Sequence, residues 1–132
     1  MLTLLDFFTP KKDTLFLLSD STIRQALEKF DYHKFSVVPV INSDGTFAFT
    51  ISEGDILRYI KNTTNFDVQK AENIMINEIE RYRSYSPISI NEPVGRIIEL
   101  AMEQNFIPVV DDRGMYIGIL KRKTVIKYLL DK

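Results

Sequence analysis

"PVINSDGTFAFTISEGDILRYIK" occupies residues 39–61, and "PVVDDRGMYIGILKRKTVIKYLL" occupies residues 108–130. The two stretches align without a gap at a constant offset of 69 residues. Pro39, Val40, Gly45 and Tyr59 meet identical residues at Pro108, Val109, Gly114 and Tyr128. Ile41 faces Val110, Phe47 faces Tyr116, Ile51 faces Leu120, and Arg58 faces Lys127. Upstream, Ile23, Ala26 and Leu27 match Val94, Ile97 and Ile98 at offset 71, so the first copy carries about two extra residues near positions 32–35. A self-similar chain is read repeat by repeat before any other assignment of fold.

Working outward, each copy parses in the same order. Ile23, Ala26, Leu27 and Phe30 recur at i, i+3, i+4, i+7, as do Val94, Ile97, Ile98 and Ala101, which predicts one amphipathic helix per copy. The apolar runs "FSVVPVI" and "NFIPVV" read as strands, and their internal prolines predict a sheet edge or a strand start. "NSDG" and "DDRG" supply turns in which Gly45 and Gly114 take positive φ. The strands "TFAFTI" and "MYIGIL" and a closing helix complete each copy, with a short strand expected ahead of it near 15–18 and 86–90. The predicted class is α/β (α+β): two pseudo-symmetric β-α-β-β-α units packed through their small sheets. Residues 1–62 form the first unit with the N-terminal segment, 63–78 a polar then weakly helical connector, and 79–132 the second unit of one intertwined module. About 60 residues bury too little apolar surface to be comfortably stable alone, so the two units are expected to share a core, with clefts between them.

The composition narrows the function. Hydrophobic residues make up 45% and charged residues 27%, the balance of a globular chain. The net charge of −1 gives no field for nucleic acid or anionic membrane. With no cysteine and one histidine, thiolate chemistry, disulfides, a Cys-based zinc site and a His-rich metal cluster have no residues to work with. "MLTLLDFFTPKK" carries Asp6 and breaks at Pro10, unlike a signal-peptide core, and no run approaches the roughly 18 residues of a membrane helix. A cytoplasmic location is expected.

"HKFSVVPVINSDGTFAFTISEGDILRYI" resembles the cystathionine β-synthase (CBS) domain, and the chain over about residues 8–131 is similar to a tandem CBS pair, the Bateman module. The resemblance rests on the apolar run into Pro-Val, the turn glycine, and an apolar residue followed by Ser/Thr-x-x-Asp at a helix start. It implies a regulatory sensor that binds adenosyl compounds in its clefts and dimerises.

Ser52 and Asp55 fill the Ser-x-x-Asp positions. Read locally they form a capping box, with Ser52 at N-cap and Asp55 reaching back, and losing such a cap costs about 0.5–2 kcal/mol. The resemblance implies a second role, in which Asp55 accepts the two ribose hydroxyls of a nucleotide, with Ser52 beside it. Both roles stand. The second copy departs from the pattern: Lys121 replaces the Ser/Thr and Thr124 replaces the aspartate. At most one adenosyl site per chain is therefore expected. Lys121, Arg122 and Lys123 instead crowd a helix start, where the dipole disfavours cations. In relatives, units lacking the aspartate send basic residues from here to the phosphates of the neighbouring site, and Lys123 is the nearest match. A solvated basic turn is the plain alternative.

Further candidates follow from the resemblance. Thr50, Ile51, Ser36 and Val37 fall where relatives line the pocket. Gln104 and Asn105 match positions that line the adenine pocket from the second unit. "ERYRSYS", residues 80–86, is the segment relatives lay against adenine, so Arg81 and Tyr82 are expected to line the pocket, with Arg81 and Arg83 placed to face phosphate from an extended chain, unless the stretch is a linker with chance aromatics. His33 is expected at a helix end on the surface. The resulting reading is a stand-alone, non-enzymatic sensor of AMP, ADP or ATP that needs no cofactor or metal. It would work as a homodimer that signals by conformational or dimer change to a protein partner, without nucleic acid or membrane. Cyclic di-AMP and S-adenosylmethionine are alternative ligands, and a ligand-free dimeric scaffold is the alternative class.

Overall fold

The computed structural model describes residues 4–33 and 36–131. Its elements run β1 (Thr9–Pro10), β2 (Leu17–Leu18), α1 (Ile23–His33), β3 (Val37–Ile41), β4 (Phe47–Ser52), α2 (Glu53–Asn62), α3 (Val68–Asn73), β5 (Ile88–Ser89), α4 (Val94–Glu103), β6 (Phe106–Val110), β7 (Tyr116–Lys121) and α5 (Arg122–Leu130). The order β2-α1-β3-β4-α2 recurs as β5-α4-β6-β7-α5, the repeat the sequence predicts. The helical part of the connector is α3, capped by Asp67, whose side chain accepts the Lys70 N–H. Part of the expected insertion at 32–35 lies outside the described residues, as does the side chain of His33 at the end of α1.

Two compact units emerge, one from the described residues of 1–15, 45–47 and 85–132, the other from 16–44 and 48–84. The second of these carries the sheet β2-β3-β4. On α1 the apolar stripe buries Ile23, Ala26 and Phe30, while Leu27 lies at its margin and stays partly exposed. The connector closes back on this helix: Ile23 N–H donates to Ile74 O at 2.9 Å, and Ile76 N–H to Ser21 O at 2.8 Å. An Arg24–Glu72 ion pair lies on the surface of the same junction.

The other unit carries the sheet β1-β7-β6-β5. Its core is built from Ile88, Ile97, Leu100, Ala101, Ile107, Val109, Leu120 and Val125. Gly45 and Gly114 take φ of +92° and +80°, as their turns require.

The prolines sit elsewhere than the sequence predicts. Pro39 and Pro108 lie within β3 and β6, and both strands are interior to their sheets. The short parallel neighbours explain how this is tolerated. β2 starts pairing at Val40 and β5 at Val109, each one residue beyond the proline. The side of the strand facing the parallel neighbour is therefore open at the proline, and a missing N–H there breaks no ladder bond.

β1 closes the outer edge of β7, with Thr9 opposite Ile119 and Pro10 opposite Gly118. Gly118 has φ of +155°, and a Cβ there would run into the Thr9 carbonyl and the Phe8 ring. Beyond β1, Thr14 Oγ1 donates to Lys11 O at 2.8 Å and accepts the Tyr116 O–H at 2.8 Å. Tyr116 is only 2% exposed, and this burial pushes its phenol up to about 12.

Two outcomes are expected. Gly118→Ala should destabilise the protein by about 1–3 kcal/mol and speed amide exchange in β1, measured by thermal denaturation and hydrogen exchange. The raised phenol of Tyr116 keeps its full contribution below the unfolded value of 10.0, and that contribution is lost as pH rises toward about 12. Denaturant titrations from pH 9 to about 12 should show a fall in stability that Tyr116→Phe lacks.

Candidate functional site

The site begins where β4 turns into α2. Ser52 has extended φ and ψ of −112° and 161°, and Glu53 starts the helix. The reciprocal box forms: Ser52 Oγ accepts the Asp55 N–H at 3.1 Å, and Asp55 Oδ2 accepts the Ser52 N–H at 2.9 Å. Glu53 N–H donates to Ser36 O at 3.0 Å, so the N–H groups of Ser52, Glu53 and Asp55 at the start of this helix already have acceptors within the chain. That satisfies most of what an N-terminus leaves open.

Asp55 does more than cap. It is 2% exposed, and a buried carboxylate needs donors on both oxygens to offset its lost hydration. Its Oδ1 accepts the Tyr82 N–H at 2.9 Å and lies 3.4 Å from Arg58 Nη1. Arg58 also places its guanidinium 5.0 Å from the centre of the Tyr82 ring. Sequence reasoning missed Arg58, although its spacing of three from Asp55 on one helix face is the signal that could have found it. A cleft of about 250 Å³ opens beside these groups, lined on α2 by Asp55, Arg58, Tyr59 and Asn62, and otherwise by Thr63, Glu80 and Tyr82.

The segment that crosses Asp55 continues along β4. Thr50 is fully buried and its N–H donates to Ser84 Oγ at 3.1 Å. Arg81 donates to Ile79 O at 3.0 Å and stacks 3.7 Å from the centre of the Phe49 ring. Ile51 is fully buried, Val37 is partly buried, and Ser36, Tyr82 and Arg83 are exposed. Ser52, Asp55, Thr50, Ile51, Ser36, Val37, Arg81 and Tyr82 thus belong to one compact unit.

Lys121, Arg122, Lys123, Gln104 and Asn105 belong to the other unit. Lys121 and Lys123 are exposed, and Lys121 provides no side-chain cap to α5. Arg122 Nε instead donates to Ala101 O at 2.7 Å and to Gln104 O at 3.1 Å, satisfying carbonyls at the end of α4. Gln104 is 5% exposed, and its amide brackets Ser86, accepting from the Ser86 N–H at 2.9 Å and donating to Ser86 O at 3.2 Å. Asn105 is exposed, and its carbonyl takes the Arg122 N–H at 2.9 Å. Arg122 and Gln104 therefore hold backbone with the groups that the resemblance assigns to a ligand.

Among the described residues no three His, Cys, Asp or Glu side chains gather as a metal site, and no helix is long and apolar enough to cross a membrane.

The family model for the CBS domain matches residues 6–62 and 71–131. Among solved structures, a CBS domain protein from Streptococcus pneumoniae TIGR4 is similar with a TM-score of 0.83 at 22% identity, covering 96% of this chain and 86% of that one. The Listeria monocytogenes CbpB protein, in complex with c-di-AMP, is similar at 0.83 and 20% identity, covering 97% and 95%. CBSX2 in complex with AMP is similar at 0.75 and 24% identity, covering 99% and 98%. No curated protein matches the chain.

Replacing Arg122 by Met should destabilise the protein by about 1.5–3 kcal/mol, the worth of hydrogen bonds to a charged group, while Lys123→Met changes stability by less than about 0.5 kcal/mol. Urea denaturation of both variants checks the contrast.

Proposed function

The chain belongs to the CBS domain family, and on that footing we propose that it is a regulatory module sensing an adenine nucleotide, AMP, ADP or ATP. Ser52 and Asp55 receive the ribose. Thr50, Ile51, Arg81 and Tyr82 border the base. The observation that carries this reading is Asp55, a carboxylate 2% exposed at a helix start on the wall of a cleft that also offers aromatic and polar side chains. A carboxylate matches the paired donors of a ribose diol, and the charge-assisted bonds it makes are about twice as strong as neutral ones. Two structural relatives solved with c-di-AMP and with AMP add support for an adenine-containing ligand. Ligand binding shifts the module, as a homodimer, between arrangements that a partner protein reads.

A second reading is favoured by one observation: both oxygens of Asp55 already have donors from the chain. On that reading Ser52 and Asp55 only cap α2, and the module is an interaction scaffold.

Calorimetric titration with AMP, ADP, ATP, cyclic di-AMP and S-adenosylmethionine separates the two. Adenine-nucleotide binding that weakens by roughly 10- to 100-fold in Asp55→Ala supports the sensor. Absence of binding, with Asp55→Ala merely melting a few degrees lower, supports the scaffold.

A further inference from the structure

A nucleotide brings phosphate as well as ribose, and phosphate needs donors or positive charge. The start of α2 does not supply free donors, because the N–H groups of Ser52, Glu53 and Asp55 already have acceptors within the chain. Among the side chains that line the cleft, Arg58 is the one cation.

The Arg58 guanidinium lies 5.0 Å from the centre of the Tyr82 ring, whose face attracts it. A guanidinium carries five N–H donors, and among the described residues only Nη1 is engaged, with Asp55 Oδ1 at 3.4 Å. The other two bonds on Asp55, from the Ser52 and Tyr82 N–H groups, are both 2.9 Å, so Arg58 is the donor held most weakly. Its side chain is also 47% exposed. A carboxylate has about four acceptor positions, and Arg58 turning outward leaves two of them, the number a ribose diol fills. Residues 79–84 keep their place throughout.

Glu80 limits the negative charge that this cleft accepts. It is exposed, lines the same cleft, and makes no hydrogen bond or ion pair among the described residues. Asp55 and Glu80 against Arg58 leave the lining one negative charge in excess. One phosphate on Arg58 is held by charge and by the paired N–H bonds that a guanidinium directs at it. Each further phosphate adds negative charge near Glu80 with no further cation on the cleft wall.

We propose that Arg58 is the phosphate-binding residue of this cleft and that Glu80 restricts it to a single phosphate, so that the chain senses a nucleoside monophosphate in preference to the di- and triphosphate. This rests on the nucleotide reading given above and adds the phosphate count to it.

Calorimetric titration of the full chain with adenosine, AMP, ADP and ATP, in buffer without magnesium, tests this on wild type, Arg58→Met, Arg58→Lys and Glu80→Gln. Wild type is expected to bind AMP about tenfold more tightly than either adenosine or ATP, with ADP between AMP and ATP. Arg58→Met closes the gap between AMP and adenosine, and Arg58→Lys, which keeps the charge without the fork, restores about threefold of it. Glu80→Gln narrows the gap between AMP and ATP to about threefold. The parent Glu80 side chain is exposed and unbonded among the described residues, so this variant carries the test if those at Arg58 do not fold. An AMP-to-adenosine gap unchanged in Arg58→Met, or an AMP-to-ATP gap that is absent from wild type or unchanged in Glu80→Gln, overturns the proposal and leaves the nucleotide reading standing. No binding of any of the four ligands to wild type overturns both.

Discussion

A carboxylate buried at the start of a helix governs the arrangement around it. Taking an ionised Asp out of water costs several kcal/mol unless donors replace its hydration. Asp55 recovers that cost from the Ser52 N–H, the Tyr82 N–H and Arg58. Each of these fixes something larger. The first sets where β4 ends and α2 begins, the second lays residues 79–84 along the edge of the same unit, and the third shapes the cleft wall. A simple surface cap would need only the first of them.

The two copies answer the same local problem with different chemistry. In the first, the helix that follows the second hairpin strand starts on a capping box; in the second, Lys121 occupies the cap position and contributes no side-chain bond. What the second copy has instead is Arg122, whose guanidinium serves the end of α4 rather than the start of α5. A helix start crowded with cations is unfavourable in isolation. Arg122 turns one of those cations toward the C-terminal carbonyls of α4, where positive charge is favourable. The reciprocal capping box and its aspartate belong to the first copy, where the second has Lys121 and Thr124.

Much of this was legible in the residues. The order of elements followed from the repeat, the positive φ of Gly45 and Gly114 from the turn sequences, and the Ser52–Asp55 box from its spacing. Other features were not. The prolines of β3 and β6 pointed to sheet edges, yet both strands are interior, because the parallel neighbours are two residues long and start beyond the proline. Gln104 and Arg122 resembled ligand positions, while their polar groups are spent on backbone. The grip of Asp55 on Tyr82 spans 27 residues and uses a main-chain N–H, which every residue but proline carries. No side-chain pattern encodes it.

The sequence by itself determined the repeat, the family, the alternation of strands and helices, and the helix start that brings Ser52 and Asp55 together. Those features depend on periodicity and on contacts three or four residues apart, which a linear reading contains. Tertiary structure alone decided that Asp55 is buried, which main-chain donor crosses it, and that Arg122 and Gln104 serve the fold. Those outcomes depend on which distant backbone groups are brought within 3 Å of each side chain, roughly the length of a hydrogen bond. Spacing along the chain carries no record of that.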